Sequence, residues 1–155
     1  METKVKEKKK TGKGKKALKI IAIILAVIVV LSCVSMGVTK ISIKANTEKA
    51  NSFEAVQYEN QLVPEKDENG FWTFTTDRDF KVLQLTDVHI GGGWMSKKTD
   101  AMALNAVASM VTAEKPDLVI ITGDTAYPVP FQAGTFNNLS SAKIFAALME
   151  KLGVY

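Results

Sequence analysis

Two aspartates and the chain's single histidine, Asp87, His89 and Asp124, are the residues whose types and spacing point to chemistry. Asp87 and His89 close a short, apolar, β-branched run over residues 81–86, and Asp124 follows Gly123 at the close of a second run over residues 117–122. Both runs read as strands, the second with the continuous apolar character of a parallel strand covered on both faces. Alternation at a strand end sends Asp87 and His89 to one side. Carboxylates gathered beside a dry sheet repel one another, and a divalent cation between them removes that cost. Asp with His and open positions suits Zn, Mn or Fe rather than an all-oxygen Ca site, and Asp124 is placed to bridge to a second ion.

Convergence of these groups depends on the segment between them. Residues 97–115 carry Ala101, Leu104, Ala108 and Val111 at the spacing of one helix face, and Pro116 stops the helix. Strand, helix, strand makes a βαβ unit with a right-handed crossover and parallel strands. Both strand ends then fall on one sheet edge, where open α/β sheets hold ligands. Just past His89, the glycines at 91–93 let backbone amides approach a phosphate, with Gly92 central, and Trp94 is a candidate wall of the substrate pocket; a plain turn into the helix is the alternative. Ser96 stands where G-x-G-x-x-G needs its third glycine, so no dinucleotide fingerprint is present. Residues 126–138 form a loop containing Pro and Gly over the same edge. Ser140 or Ser141 is expected to cap a helix whose dry face is Ile144, Ala147, Leu148 and Leu152, ended by Gly153. Val154 and Tyr155 read as the start of another strand.

At these residues the chain resembles the calcineurin-like metallophosphoesterase superfamily. Asp87-Val88-His89 matches its D-x-H motif and Gly123-Asp124 its G-D motif. Gly123-Asp124-Thr125-Ala126-Tyr127 is similar to the G-D-x-x-Y of purple acid phosphatases, in which the Tyr ligates iron. Those enzymes have D-x-G first, where His89 stands here, and the mixture resembles the purple-acid-phosphatase-like or bacterial phosphodiesterase-like branch. The resemblance covers residues 71–155 and implies an α/β fold, a metallophosphoesterase-type β-sandwich flanked by helices, with only the first βαβ portion present. It further implies hydrolysis of a phosphate ester by two divalent metal ions (Mn, Fe or Zn). Asp87 and His89 would bind the first ion and Asp124 would bridge both. Tyr127 would be a ligand, or else a ring packed on Pro128 and Pro130. The family's later G-N-H-[DE] and histidine motifs have no counterpart, because His89 is the only histidine. The expectation is therefore the N-terminal part of such an enzyme, with little activity alone; the alternative is a non-enzymatic, membrane-tethered binding module with a degenerate phosphoesterase fold.

The front of the chain is of another kind. Residues 1–19 hold nine lysines against Glu2 and Glu7, a balance of +7, so the rest of the chain carries −3 of the total +4. The basic character belongs to that tail, and a nucleic-acid partner is not expected. Residues 20–39 carry no charge until Lys40 and are long enough to span a bilayer. The lysines ahead of this span place the N-terminus in the cytoplasm and the C-terminal domain outside, as a single-pass cell-membrane protein. Secretion after signal cleavage, with Ser32, Ser35 and Gly37 near a cut, is the alternative. Cys33 is the only cysteine, so no internal disulfide forms. Residues 40–70 read as a linker ending in an Asn69-Gly70 hairpin turn. Residues 71–75 then read as an edge strand beside the one ending at Asp87, with residues 56–63 as its hairpin partner.

Overall fold

The computed structural model describes residues 11–155, with side chains from residue 14 onward. The lysine-rich residues before Thr11 lie outside the described residues. The chain divides after Met36 into two units, the second being Gly37–Tyr155.

Helix α1 (Thr11–Asn51) is 41 residues long. Within the first unit Leu18, Ile20, Ile24, Ile28, Leu31 and Val34 are each more than half exposed. A helix apolar all round suits hydrocarbon and not water. Over Gly14–Asn51 it is long and apolar enough to cross a membrane, as an anchor or a signal sequence is. At about 1.5 Å per residue it exceeds a hydrocarbon core of about 30 Å roughly twofold, so its last turns have another task.

Those turns open the second unit and correct the expected linker: helix, not loop, continues to Asn51. No Pro or Gly interrupts residues 40–51, and Thr39, Ser42, Asn46 and Ala50 are buried at three- and four-residue intervals along one face. That stripe is small and polar, so it gave no apolar periodicity to read.

The turn at Asn69-Gly70 forms as expected. The Asp67 carboxylate accepts the amides of Asn69 and Phe71, and Gly70 takes a left-handed φ of 83° that suits glycine. It joins β1 (Glu65–Lys66) to β2 (Trp72–Thr73), with Lys66 opposite Trp72. The partner of the aromatic strand is thus its immediate neighbour and not residues 56–63. Val56 instead enters the core, its amide donating to the Leu152 carbonyl, and the Tyr58 hydroxyl donates to the Pro116 carbonyl. Nor does β2 lie beside β3 (Val82–Leu85), which pairs with β4 (Leu118–Ile121).

The βαβ unit is present. Strands β3 and β4 run parallel, in register from Val82 opposite Leu118 to Leu85 opposite Ile121. Helix α2 (Lys97–Glu114) joins them, burying Leu104, Val107, Ala108 and Val111, and ends at Lys115 (φ 46°) before Pro116. It packs on α4 (Asn138–Leu152), which buries Ile144, Phe145, Leu148 and Leu152. Full burial of such side chains stabilises by about 1.5–3 kcal/mol each. The cap of α4 is Asn137, whose side chain accepts the Ser140 amide; Ser140 and Ser141 sit inside the first turn. Gly153 closes the helix at φ 69°. The Val119 amide then donates to the Tyr155 carbonyl, which sets Tyr155 beside β4, but the expected strand does not form over Val154 and Tyr155.

Strand β4 is not covered on both faces as expected: Leu118 and Val119 are half-buried, and Ile120 and Ile121, adjacent and so on opposite faces, are 42% and 43% exposed. The fold is mixed α/β with two sheets of two strands each. Among the described residues no β-sandwich forms.

Candidate metal centre

The parallel pairing does not stop where the strands end. Past β3 and β4, the Asp87 amide donates to the Gly123 carbonyl, the His89 amide to the Asp124 carbonyl and the Ile90 amide to the Thr125 carbonyl. The Tyr127 amide donates back to the Ile90 carbonyl. Two loops are thereby zipped together, with Ile90 paired to Ala126 and buried beneath them.

Within this zipper the backbone is unusual. Asp87, His89 and Asp124 have φ of 55°, 53° and 46°, and Gly123 has φ 134°. Left-handed non-glycine residues cost of order 1–3 kcal/mol each and persist where surrounding structure enforces them, as at functional sites. Asp and His tolerate the region better than most residues. These turns, and not strand alternation, bring Asp87 and His89 to the same side, which corrects the reason given from the sequence; β3 has already ended at Leu85.

The three side chains meet. One ligand atom from each of Asp87, His89 and Asp124 lies within 4.8 Å of the others. His89 Nε2 is 3.5 Å from Asp87 Oδ1 and 3.7 Å from Asp124 Oδ2. A metal with ligand bonds near 2.0–2.2 Å fits between donors at such separations. The Thr86 hydroxyl donates to Asp87 Oδ2 at 2.6 Å and leaves the other oxygen, Oδ1, facing the imidazole. The three side chains are 60%, 43% and 71% exposed in chain order, so they are open to solvent and to dissolved ions.

Tyr127 stacks its ring on the imidazole of His89, with centroids 4.7 Å apart and planes 20° from parallel. The ring partner is thus His89. Both rings line a cleft of ≈ 270 Å³ with Gly91, Met95, Ser96, Thr99, Gln132 and Ala133. Gln132 and Ala133 come from α3 (Pro130–Ala133), a short helix within the loop expected over the metal edge.

The glycines after His89 are placed otherwise than the sequence suggested. The amides of Gly91 and Gly92 donate to Oδ1 and Oδ2 of Asp100, at 2.8 and 2.9 Å, and the Gly93 amide donates to Ser96 Oγ. The anion in this nest is a side chain of the protein, so the Gly92 amide is not open to a substrate phosphate. Gly93 is required by packing, because a Cβ there would collide with the Ala133 carbonyl. Trp94 is 43% exposed and lies against Gly134, and it is not among the residues lining the cleft.

Asp100 is the residue sequence reasoning missed. It is 1% exposed and accepts, besides the two amides, Ser96 Oγ at 3.0 Å and Asn46 Nδ2 of α1 at 3.1 Å. Burial pushes its carboxyl above the usual range, against the pull of these donors. A charged residue on the buried face of a helical pattern was the available signal.

No protein-family model matches the chain, and no solved structure matches it. A stretch of 65 residues is 34% identical to a protein of Arabidopsis thaliana named "Probable inactive purple acid phosphatase 14". The match covers 35% of this chain and 16% of that protein's length. The chain is thus similar over a limited stretch to a purple acid phosphatase relative whose name describes it as inactive.

Proposed function

We propose that the chain carries part of the metal centre of a membrane-tethered, metal-dependent phosphoric ester hydrolase of the calcineurin-like kind. The observation that supports this most is the meeting of Asp87, His89 and Asp124 within 4.8 Å on three left-handed backbone positions. The partial likeness to a purple acid phosphatase relative supports the same class. In this reading Asp87 and His89 hold a first divalent ion, Mn, Fe or Zn, and Asp124 reaches toward a second. When bound, such ions supply Lewis acidity at a phosphoryl oxygen and lower the pKa of water near neutrality.

The chain's own groups then have separate tasks. The Thr86 hydroxyl fixes one oxygen of Asp87, and the Tyr127 ring holds the imidazole plane of His89. The cleft beside them admits the ester group, with Gln132 and Thr99 as polar walls. Tyr127 stays a candidate fourth ligand through its phenol. The helix α1 tethers the unit to the cell membrane, with the lysine-rich end cytoplasmic and the metal centre outside.

A second reading, a tethered binding module that takes up metal or phosphate without turnover, is favoured by the donor number. The described residues bring together three His, Asp or Glu ligands, fewer than two ions require, and the relative's name describes it as inactive. Calorimetric titration of the full chain with Mn2+, beside hydrolysis of a chromogenic phosphodiester, separates the readings. Binding lost in Asp124→Asn with no hydrolysis supports the module; binding and hydrolysis both lost in that variant support the enzyme. Equal binding by wild type and Asp124→Asn refutes both.

A further inference from the structure

The structure ties the last turns of α1 to the loop that carries His89, and the tie runs through buried groups. Asn46 Nδ2, from α1, donates to Asp100 Oδ2, and Asn46 is 2% exposed. Asp100, from α2, receives Asn46, Ser96 and the amides of Gly91 and Gly92, which follow His89 by two and three residues. Each carboxylate oxygen has a donor from the glycine loop, and no buried side-chain polar atom among the described residues lacks a partner. The loop so held is the one whose Ile90 is zipped to residues 125–127 and whose His89 takes the left-handed turn.

We infer that Asn46 and Asp100 are positioning residues for the metal centre: they clamp the glycine loop so that His89 is held at the ion, and they make the C-terminal end of α1 a structural part of that centre. The inference rests on the metal reading of Asp87, His89 and Asp124. It also goes beyond that reading, because neither Asn46 nor Asp100 touches a proposed ligand atom. Outer partners that bond metal ligands change metal affinity about 10–100-fold when lost. Asn46 and Asp100 act one step further out, through the backbone of the loop that carries His89, so the low end of that range is expected. Asn46 lies past residues 32–37, so the clamp is the same whether the apolar span anchors the chain or is cut there. No acidic or basic side chain other than Asp100 joins the clamp's hydrogen bonds.

The test uses the full chain in detergent micelles, titrated with Zn2+ and followed in two ways: the binding isotherm, and the imidazole resonances. His89 is the only histidine, so a single set of imidazole signals reports on it. Asp100→Asn and Asn46→Ala are compared with Asp124→Asn, which removes a proposed ligand. Leu152→Ala is the packing control. It opens the core about three turns of α4 away from Ser141, the residue a Cβ on Gly92 would meet.

The expected result is about a tenfold loss of Zn2+ affinity in Asp100→Asn and Asn46→Ala, with displaced imidazole resonances and helical content retained. Leu152→Ala should melt earlier yet bind as wild type does. Wild-type affinity in both clamp variants overturns the inference and leaves the metal centre standing. So does a loss in Leu152→Ala equal to theirs, because the effect is then general loosening. Should Asp100→Asn not fold, Asn46→Ala decides alone, since it removes one of four donors and keeps the carboxylate. Equal binding by wild type and Asp124→Asn defeats the metal reading and the clamp together.

Discussion

Strand β4 has a carboxylate near each end, and the two ends treat it in opposite ways. Asp117, just before Leu118, is 3% exposed and gripped by Arg78 through both oxygens, at 2.6 and 2.9 Å, while the Lys81 amide donates to it as well. Asp124, past Ile121, has its side chain 71% exposed and faces an imidazole and a second carboxylate. One aspartate has its lone pairs satisfied by the protein and fixes where β3 and β4 start. The other keeps its lone pairs available and is held in place by its backbone alone. Cleft size does not mark the difference: a cleft of ≈ 540 Å³ lies at the Asp117 end and one of ≈ 270 Å³ at the His89 end. What separates structure from chemistry here is whether the polar groups are already paired.

Substitutions sharpen this contrast, and the largest effect lies under both ends. Ile144→Ala removes a fully buried side chain of α4 and is expected to destabilise the chain by about 2–5 kcal/mol, read from the urea midpoint. Next comes the closed end. Asp117→Ala leaves the Lys81 amide without its acceptor and the Arg78 guanidinium with only the Asp79 and Asn60 carbonyls, and is expected to cost about 1.5–3 kcal/mol.

The closed end also has a pH signature. The Arg78 hydrogen bonds hold the Asp117 carboxyl below its usual range, so its folded pKa lies under the unfolded value of about 3.9. Its stabilisation is complete above that value and is lost as pH falls through the folded one. Wild type and Asp117→Asn should therefore differ widely in urea midpoint at pH 6 and converge toward pH 2. A gap that stays constant would remove the ion pair from the account.

The open end should barely register on the same scale. Asp124→Asn is expected to change stability by less than about 0.5 kcal/mol, since an exposed side chain with no donor is altered. A destabilisation matching that of Asp117→Ala would erase the contrast between the two ends. Smallest of all is Tyr127→Phe, which keeps the stacked ring and removes the phenol. Unchanged metal affinity would show that Tyr127 serves as a ring; a clear loss would make its oxygen a ligand.

The parts of this molecule legible in the sequence are those set by local chemistry. The apolar runs ending near Leu85 and Ile121, the face at Leu104, Ala108 and Val111, and the stops at Pro116 and Gly153 all lie in short stretches with one dominant signal. Parallel pairing then brought Asp87, His89 and Asp124 to one edge as expected. The illegible parts depend on distant partners. Residues 40–51 extend α1 because Thr39, Ser42, Asn46 and Ala50 find cover elsewhere in the second unit, and polar docking of that kind leaves no hydrophobic period. The glycines at 91–93 looked open to phosphate because Asp100, from the next helix, was not visible as their acceptor. The left-handed turns at Asp87 and His89 are tertiary as well, enforced by carbonyls of the loop after β4.

The claim on which the functional account depends is that an ion sits at His89. Pulsed electron paramagnetic resonance of the Mn2+-loaded chain reads this directly, because a coordinated imidazole gives a nitrogen coupling and the chain has one histidine. The account predicts that coupling in the wild type and its disappearance in His89→Gln. A wild-type spectrum showing oxygen coordination alone would contradict it.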